Sequence, residues 1–278
     1  GGPSPMLAGA RARPPGTGRR EAGVAAPPGA RARAPGTAAT APGPLVLAAH
    51  GTRRPGGPPL LERIAERVSA LLPEADVRHG WAEFQRPSIA DALAGSTDPV
   101  VVPLFLGGGH HVGHDLPHCV REHGSGTITA HLGPEPVIVG AVAQRLRRAL
   151  AGEGAELGEI DGVVLAAAGS RRRGPVAEAE AAGRRLSRLL GTPVRTAYLS
   201  SVEPSARLAV RHWRAEGAGT IAIATYLLAQ GHFSRALRGA GADLVSPPLG
   251  DHPAVAEVVA RRYRAIAGRS SRPAGTGR

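Results

Sequence analysis

At 278 residues, 42% of them hydrophobic, the chain can bury one large core or two medium ones. Its formal net charge of +12 contains no lysine and is concentrated at the ends: residues 1–43 hold six Arg against one Glu and residues 269–278 three Arg, leaving +4 between them. With only eight aromatic residues for base stacking, a nucleic-acid partner is not expected. A lone cysteine, Cys119, allows no internal disulfide, and no run of about 18 apolar residues offers a membrane span, so a soluble protein of the reducing cytoplasm is expected.

Residues 1–43 are dominated by Gly, Pro, Ala and Arg, repeat "GARAR" and lack the apolar h-region of a signal peptide, which predicts a disordered extension. From residue 44 the pattern changes. "PLVLAAH" (44–50) is a short apolar run bounded by proline and by a Gly-rich loop, as in a buried parallel strand. Leu60, Leu61, Ile64, Val68, Leu71 and Leu72 then form a 3.6-residue stripe over a helix at 60–72. There follow a strand at about 75–84, a short helix after Pro87, a strand at 99–106, a helix at about 115–122, a strand at 127–132 and a helix at 136–150. Strands alternating with helices predict a parallel sheet covered on both faces, with a ligand site at the carboxyl ends of the strands.

The second part of the chain repeats the first at a spacing near 118 residues. "GVVLAAAGSRRRG" (162–174) aligns with "PLVLAAHGTRRPG", "YLSSVEPSARLAV" (198–210) with "GWAEFQRPSIADAL", "IATYLLAQGHF" (223–233) with "VPLFLGGGHHV", and "PPLGDHPAV" (247–255) with "AHLGPEPVI". So long a period means a duplicated domain, predicted as halves at 44–155 and 160–268 with a cleft between them and a flexible tail at 269–278. The halves differ where chemistry would sit. His50 becomes Ala168 and Glu83 becomes Ser200, whereas His111 keeps a counterpart in His232. Two imidazoles and a carboxylate at three strand ends suit a borderline divalent metal, and imidazole also takes protons near neutral pH. The glycines at 107–109 belong to neither G-x-x-x-x-G-K-[ST] nor G-x-G-x-x-G, so no phosphate-cradling loop is expected, and no H-E-x-x-H motif supports a zinc hydrolase.

"LAAHGTRRPG", the Glu83–Pro87–Ser88 spacing in "WAEFQRPSIADAL", "VPLFLGGGHHVGHDLP" and "PPLGDHP" together resemble the sirohydrochlorin chelatases of the CbiX and SirB type, within the class II chelatases. The resemblance spans about residues 45–266. It implies two tandem flavodoxin-like, Rossmann-like halves that insert Fe²⁺ or Co²⁺, with Ni²⁺ a further candidate, into sirohydrochlorin on the way to sirohaem or cobalamin, without ATP and with no cofactor beyond the metal substrate. By position, the family's metal-site histidines fall on His50 and His111 and its acidic residue on Glu83. Peripheral carboxylates of the substrate call for arginines, and Arg53, Arg54 and Arg171 follow the first strands of the two repeats, with Arg172 and Arg173 beside them. His232 is assigned to substrate placement. A monomer is expected, since one chain holds both halves of the cleft. The competing reading is a protein of the same fold that carries metal or tetrapyrrole without turnover. His110, His114, His118 and His123 follow the third strand, and His114 and His118, four apart on a helical segment, read as helix-surface residues that offer a low-affinity loading site at most; His79, His131, His212 and His252 have no partner evident in the sequence, and Cys119 reads as a small buried residue.

Overall fold

The computed structural model describes residues 43–51, 57–109 and 111–270, without the side chains of residues 111, 232–234, 269 and 270. The expected extension up to residue 42, Arg53, Arg54, His110 and the tail from residue 271 therefore lie outside the described residues.

Two four-stranded parallel sheets carry the fold. In the first, β1 (Leu45–Ala49) lies between β2 (Val77–Trp81) and β3 (Val100–Pro103), and β4 (Thr127–Ile128) flanks β3. In the second, β5 (Gly162–Ala167) lies between β6 (Val194–Tyr198) and β7 (Ile221–Tyr226), with β8 (Leu244–Val245) outside β7. Every residue of β1, β3, β5 and β7 is buried, as the near-continuous Val, Ile, Leu and Ala runs require of strands covered on both faces. Three strands are shorter than the sequence predicts. Past the end of β3, Leu104 still donates its N–H to the Ala48 carbonyl and the Phe105 carbonyl still accepts from Leu132 N–H, both at 2.8 Å, while residues 104–106 line the cleft.

The helices are α1 (Gly57–Leu71), α2 (Ile89–Leu93), α3 (Leu116–His123), α4 (Pro136–Gly152), α5 (Arg173–Leu190), α6 (Ala206–Ala215), α7 (His232–Arg238) and α8 (Pro253–Ser270). Of the predicted stripe, Leu60, Leu61, Ile64 and Val68 in α1 and Leu72 just past it are buried, whereas Leu71 is exposed, and Pro58 and Pro59 fit a first turn whose N–H groups have no helical partner. The two long helices that close each repeat are exchanged. α4, which follows the first sheet, packs on α5, β7 and β8, whereas α8, which follows the second, packs on α1 and β3; the two helices also touch each other. The Arg145 guanidinium on α4 donates to the Leu249 carbonyl ahead of α8, and the Tyr263 hydroxyl on α8 donates to the Gly43 carbonyl at 3.1 Å. One apolar core therefore runs from Leu47 and Ile64 through Leu146 and Val259 to Leu165 and Leu186.

A continuous core couples the stability of the two sheets. Trp81 ends β2 in the first and Trp213 lies on α6 beside the second. In urea, the Trp81→Phe variant (reporting through Trp213) and the Trp213→Phe variant (reporting through Trp81) are each expected to show a fluorescence transition coincident with the loss of helical circular dichroism. A gap of more than about 0.5 M between the two probes within either variant would show that the sheets unfold independently.

Candidate functional site

The carboxyl ends of β1, β2 and β3 face those of β5, β6 and β7 across a cleft of about 560 Å³. Its walls are largely apolar, from Leu60, Ile64, Trp81, Leu104 and Phe105 on one side to Tyr198, Tyr226 and Leu228 on the other. His50 and Arg171 lie on the lining, one from each half, and both are exposed.

Pairing between β1 and β2 continues past the strands and fixes the neighbourhood of His50. Ala82 N–H donates to the Ala49 carbonyl at 2.8 Å and Glu83 N–H to the His50 carbonyl at 3.0 Å, so the backbones of the predicted histidine and carboxylate are hydrogen-bonded neighbours. Gln85 N–H then reaches back to the Glu83 carbonyl at 2.8 Å across Phe84, whose φ of 65° is that of a strained γ-turn. Gly51 is required beside it: its φ is 101°, and a Cβ there would run into the Glu83 carbonyl oxygen. The chain returns through a cis Arg86–Pro87 bond to cap α2 at Ser88. From β3, Phe105 approaches His50 with ring centroids 6.3 Å apart.

The α2 cap closes this turn. Ser88 N–H donates to the Asp91 carboxylate at 2.8 Å, Asp91 N–H donates to Ser88 Oγ at 3.1 Å, and Arg86 Nη1 stands 2.6 Å from the same carboxylate. The Ser88 backbone bond first, and Arg86 next, hold the Asp91 carboxyl at about 2 against an ordinary 3.8. Because the folded value is the lower one, the contribution is present above about pH 4 and lost as the pH falls toward 2. Asp91→Asn is expected to flatten the change in urea midpoint between about pH 5 and 2; a pH profile identical to the parent protein would remove Asp91 from the cap.

His111 opens a π-helical turn, His111–Asp115, ahead of α3, with Gly113 N–H donating to the Gly109 carbonyl at 3.1 Å. Its side chain lies outside the described residues, as does that of His232, which starts α7 at the matching place in the second half. Arg53 and Arg54 also lie outside them. Of the predicted arginines, Arg171 is on the cleft wall and Arg172 reaches across it: a Cβ on Gly113 would lie 2.8 Å from Arg172 Nη1. Among the described residues no three His, Cys, Asp or Glu side chains group closely enough to hold a metal.

The second half reproduces the same turn without the side chains. Leu199 N–H donates to the Ala167 carbonyl at 3.0 Å, Val202 N–H to Ser200 at 2.8 Å, Ser201 has a φ of 70°, and the Glu203–Pro204 bond is cis. Gly169, with a φ of 91°, stands against the Ser200 carbonyl as Gly51 stands against Glu83. Ser200 turns its hydroxyl back onto the Ala168 carbonyl at 2.9 Å. The fold of the site is duplicated and its histidine–glutamate pair is not.

Several features were not foreseen. His131, for which the sequence showed no partner, faces Glu178 with Nε2 3.3 Å from Oε1, and His252 faces Gln144 with Nε2 3.1 Å from Oε1. These partners are 47 and 108 residues away in the chain, a separation no local pattern encodes. The Tyr198 hydroxyl, on the cleft wall, is buried with no hydrogen-bond partner, and burial, then Glu180, pushes its ionisation above the ordinary 10.0. Cys119 is half-buried rather than buried; burial, then Asp115, raises its thiol, which disfavours a ligating thiolate. His114 pairs with Asp115 at 3.0 Å.

The family model described as CbiX matches residues 44–149 and matches again at 162–266. The chain belongs to the CbiX family. Curated CbiX-like relatives named sirohydrochlorin cobaltochelatase include one from Methanococcoides burtonii, 29% identical over 104 residues (34% of this chain, 79% of the relative). Another, from Methanosarcina barkeri, is 26% identical over 124 residues (38% of this chain, 95% of the relative), so these relatives are close in length to one CbiX repeat. Among solved structures, SirB from Bacillus subtilis with Fe³⁺ superposes with a TM-score of 0.64 at 21% identity, covering 81% of this chain and 96% of that one. The structure of CbiX, the terminal enzyme for biosynthesis of siroheme in denitrifying bacteria, superposes with a TM-score of 0.62 at 21% identity, over 80% of this chain and 98% of that one. At that identity the two structures share the CbiX fold with this chain.

Proposed function

We propose that this CbiX-family protein inserts Fe²⁺ or Co²⁺ into sirohydrochlorin, without ATP and without a cofactor beyond the metal substrate. The observation that carries the reading is the His50–Glu83 backbone pair at the mouth of an apolar cleft, in the half that keeps its histidine and carboxylate, opposite Ala168 and Ser200 in the half that does not. The names of the curated relatives, sirohydrochlorin cobaltochelatase, support the same substrate.

Metal insertion requires that water be stripped from the ion, that the ion be held over the ring, and that two pyrrole N–H protons leave as it descends. His50 and His111 supply neutral imidazole nitrogens for the first two tasks and accept protons for the third. Glu83, beside His50, orients that ring or passes its proton outward. Two histidines and water make a weak site, which suits an ion destined for four pyrrole nitrogens; a closed four-ligand cage would retain it. The apolar walls match the face of a macrocycle, and Arg171 with Arg172, joined by Arg53 and Arg54, meet its carboxylates as charge-assisted pairs. His232 serves substrate placement on the opposite side. A chain holding both repeats completes the cleft as a monomer, and a cytoplasmic location fits a protein whose described residues include no helix long and apolar enough to cross a membrane.

The test is the absorbance change of sirohydrochlorin on adding the purified protein with Fe²⁺, Co²⁺ or Ni²⁺ separately, against protein-free controls. Insertion faster than the control with Fe²⁺ or Co²⁺ is expected. Spectral binding of the tetrapyrrole with no acceleration by any metal would move the assignment to a carrier.

A further inference from the structure

We propose that Glu178, on α5 of the second half, is a positioning residue that sets the loop carrying His111. The proposal rests on the reading that His111 handles the metal. Gly107, Gly108 and Gly109 precede that histidine, and three glycines in a row carry the largest backbone entropy of any such stretch. An added Cβ would lie 3.6 Å from Glu178 Oε2 at Gly107 and 3.3 Å from His131 Nε2 at Gly108, with nothing within 4 Å at Gly109, so Glu178 and His131 are the near neighbours of the run. A hydrogen bond fastens it to them. Gly108 N–H donates to Glu178 Oε2 at 3.0 Å, while Oε1 of the same carboxylate faces His131 Nε2 at 3.3 Å. His131 is 12% exposed and its Nδ1 is buried with no partner, so Nε2 is the nitrogen that donates, and the bond aims the Glu178 carboxylate at the loop.

Two further contacts from the second half grip the same segment. The Tyr226 hydroxyl donates to the Leu106 carbonyl at 3.4 Å on one side of Gly108, and Arg172 lies against Gly113 on the other side of His111. The second half has lost its histidine–glutamate pair, yet it holds the loop of the half that kept it.

The experiment uses the full chain with Glu178→Ala, Glu178→Gln, His111→Ala and, as a control on the same helix, Glu180→Ala, which makes an exposed ion pair with Arg184 at 3.9 Å. Two readouts are taken: kcat and KM for Co²⁺ insertion into sirohydrochlorin, and the affinity for Co²⁺ alone from its ligand-field absorption. Glu178→Ala is expected to lower kcat about 10-fold and to weaken Co²⁺ binding by a similar factor, with KM for the tetrapyrrole and the urea midpoint close to those of Glu180→Ala. Glu178→Gln keeps one oxygen that can accept from Gly108 N–H but sets its amide NH₂ against the donating His131 Nε2, so it is expected to recover part of both losses. Glu178→Ala with wild-type kcat and Co²⁺ affinity, or Glu178→Gln as impaired as Glu178→Ala, would overturn the proposal while His111→Ala remained inactive. A fully active His111→Ala would instead sink the reading on which it rests.

Discussion

Replacing His50 or His111 with alanine is expected to lower metal insertion at least about 100-fold while leaving the protein folded. On the proposed reading each histidine supplies both a metal ligand and a proton acceptor. His50 is an exposed residue one position past β1, so truncation opens no cavity in the core, and a stability change of about 1 kcal/mol or less is expected. Glu83→Ala should fall between these variants and the parent, since partners that orient a ligand are typically worth about 10-fold to 100-fold. His232→Ala should slow turnover modestly and leave Co²⁺ binding intact, because its counterparts to His50 and Glu83 are Ala168 and Ser200. Initial rates from absorbance, with the urea midpoint beside them, decide the matter. Loss of Co²⁺ binding in His232→Ala together with its retention in His111→Ala would invert the assignment and move the metal site to the second half.

The paired turns allow a second large effect to be separated from loss of stability. Gly51→Ala and Gly169→Ala place a Cβ at φ values of 101° and 91°, each against the carbonyl oxygen of the residue that starts the γ-turn. Both should cost about 2 kcal/mol or more, since left-handed backbone alone costs a residue with a side chain roughly 1–2 kcal/mol and the turn must also open. The functional consequences should differ. Opening the first turn moves Glu83 away from His50 and is expected to reduce insertion about 10-fold or more under conditions where both variants are folded; opening the second moves only Ser200. Equal loss of activity in both variants would mean that the second turn also shapes the site.

Much of this arrangement could be read from residues. Runs such as "PLVLAA" and "GVVLAA" are buried central strands, the Leu60 to Val68 stripe is the packed face of α1, and the duplication appears as paired elements down to the γ-turns. The backbone approach that Gly51 and Gly169 allow, each the second residue past a strand, was not read from the sequence. The exchange of α4 and α8 was not legible, because a helix shows the same amphipathic stripe whichever sheet it covers. Nor was the role of Glu178. In "PVAEAEAAGRR" it reads as one of two acids on a helix, and only the tertiary fold turns it toward Gly108 and His131. Residues 104–106 extended the apolar run of β3 past its end because they line the cleft.

The exchanged helices also set the order in which the protein can be finished during translation. β1 through β4 are complete once residue 128 has been made, but α8, which covers α1 and β3, begins at Pro253. At about 5–20 residues per second, the ribosome leaves the first sheet without its cover for on the order of ten seconds. In that interval α4 is the first long helix to follow the uncovered sheet, and resting it there would form a nascent state that must be undone when the second sheet claims it. The half bearing His50 and Glu83 is thus translated first and completed last.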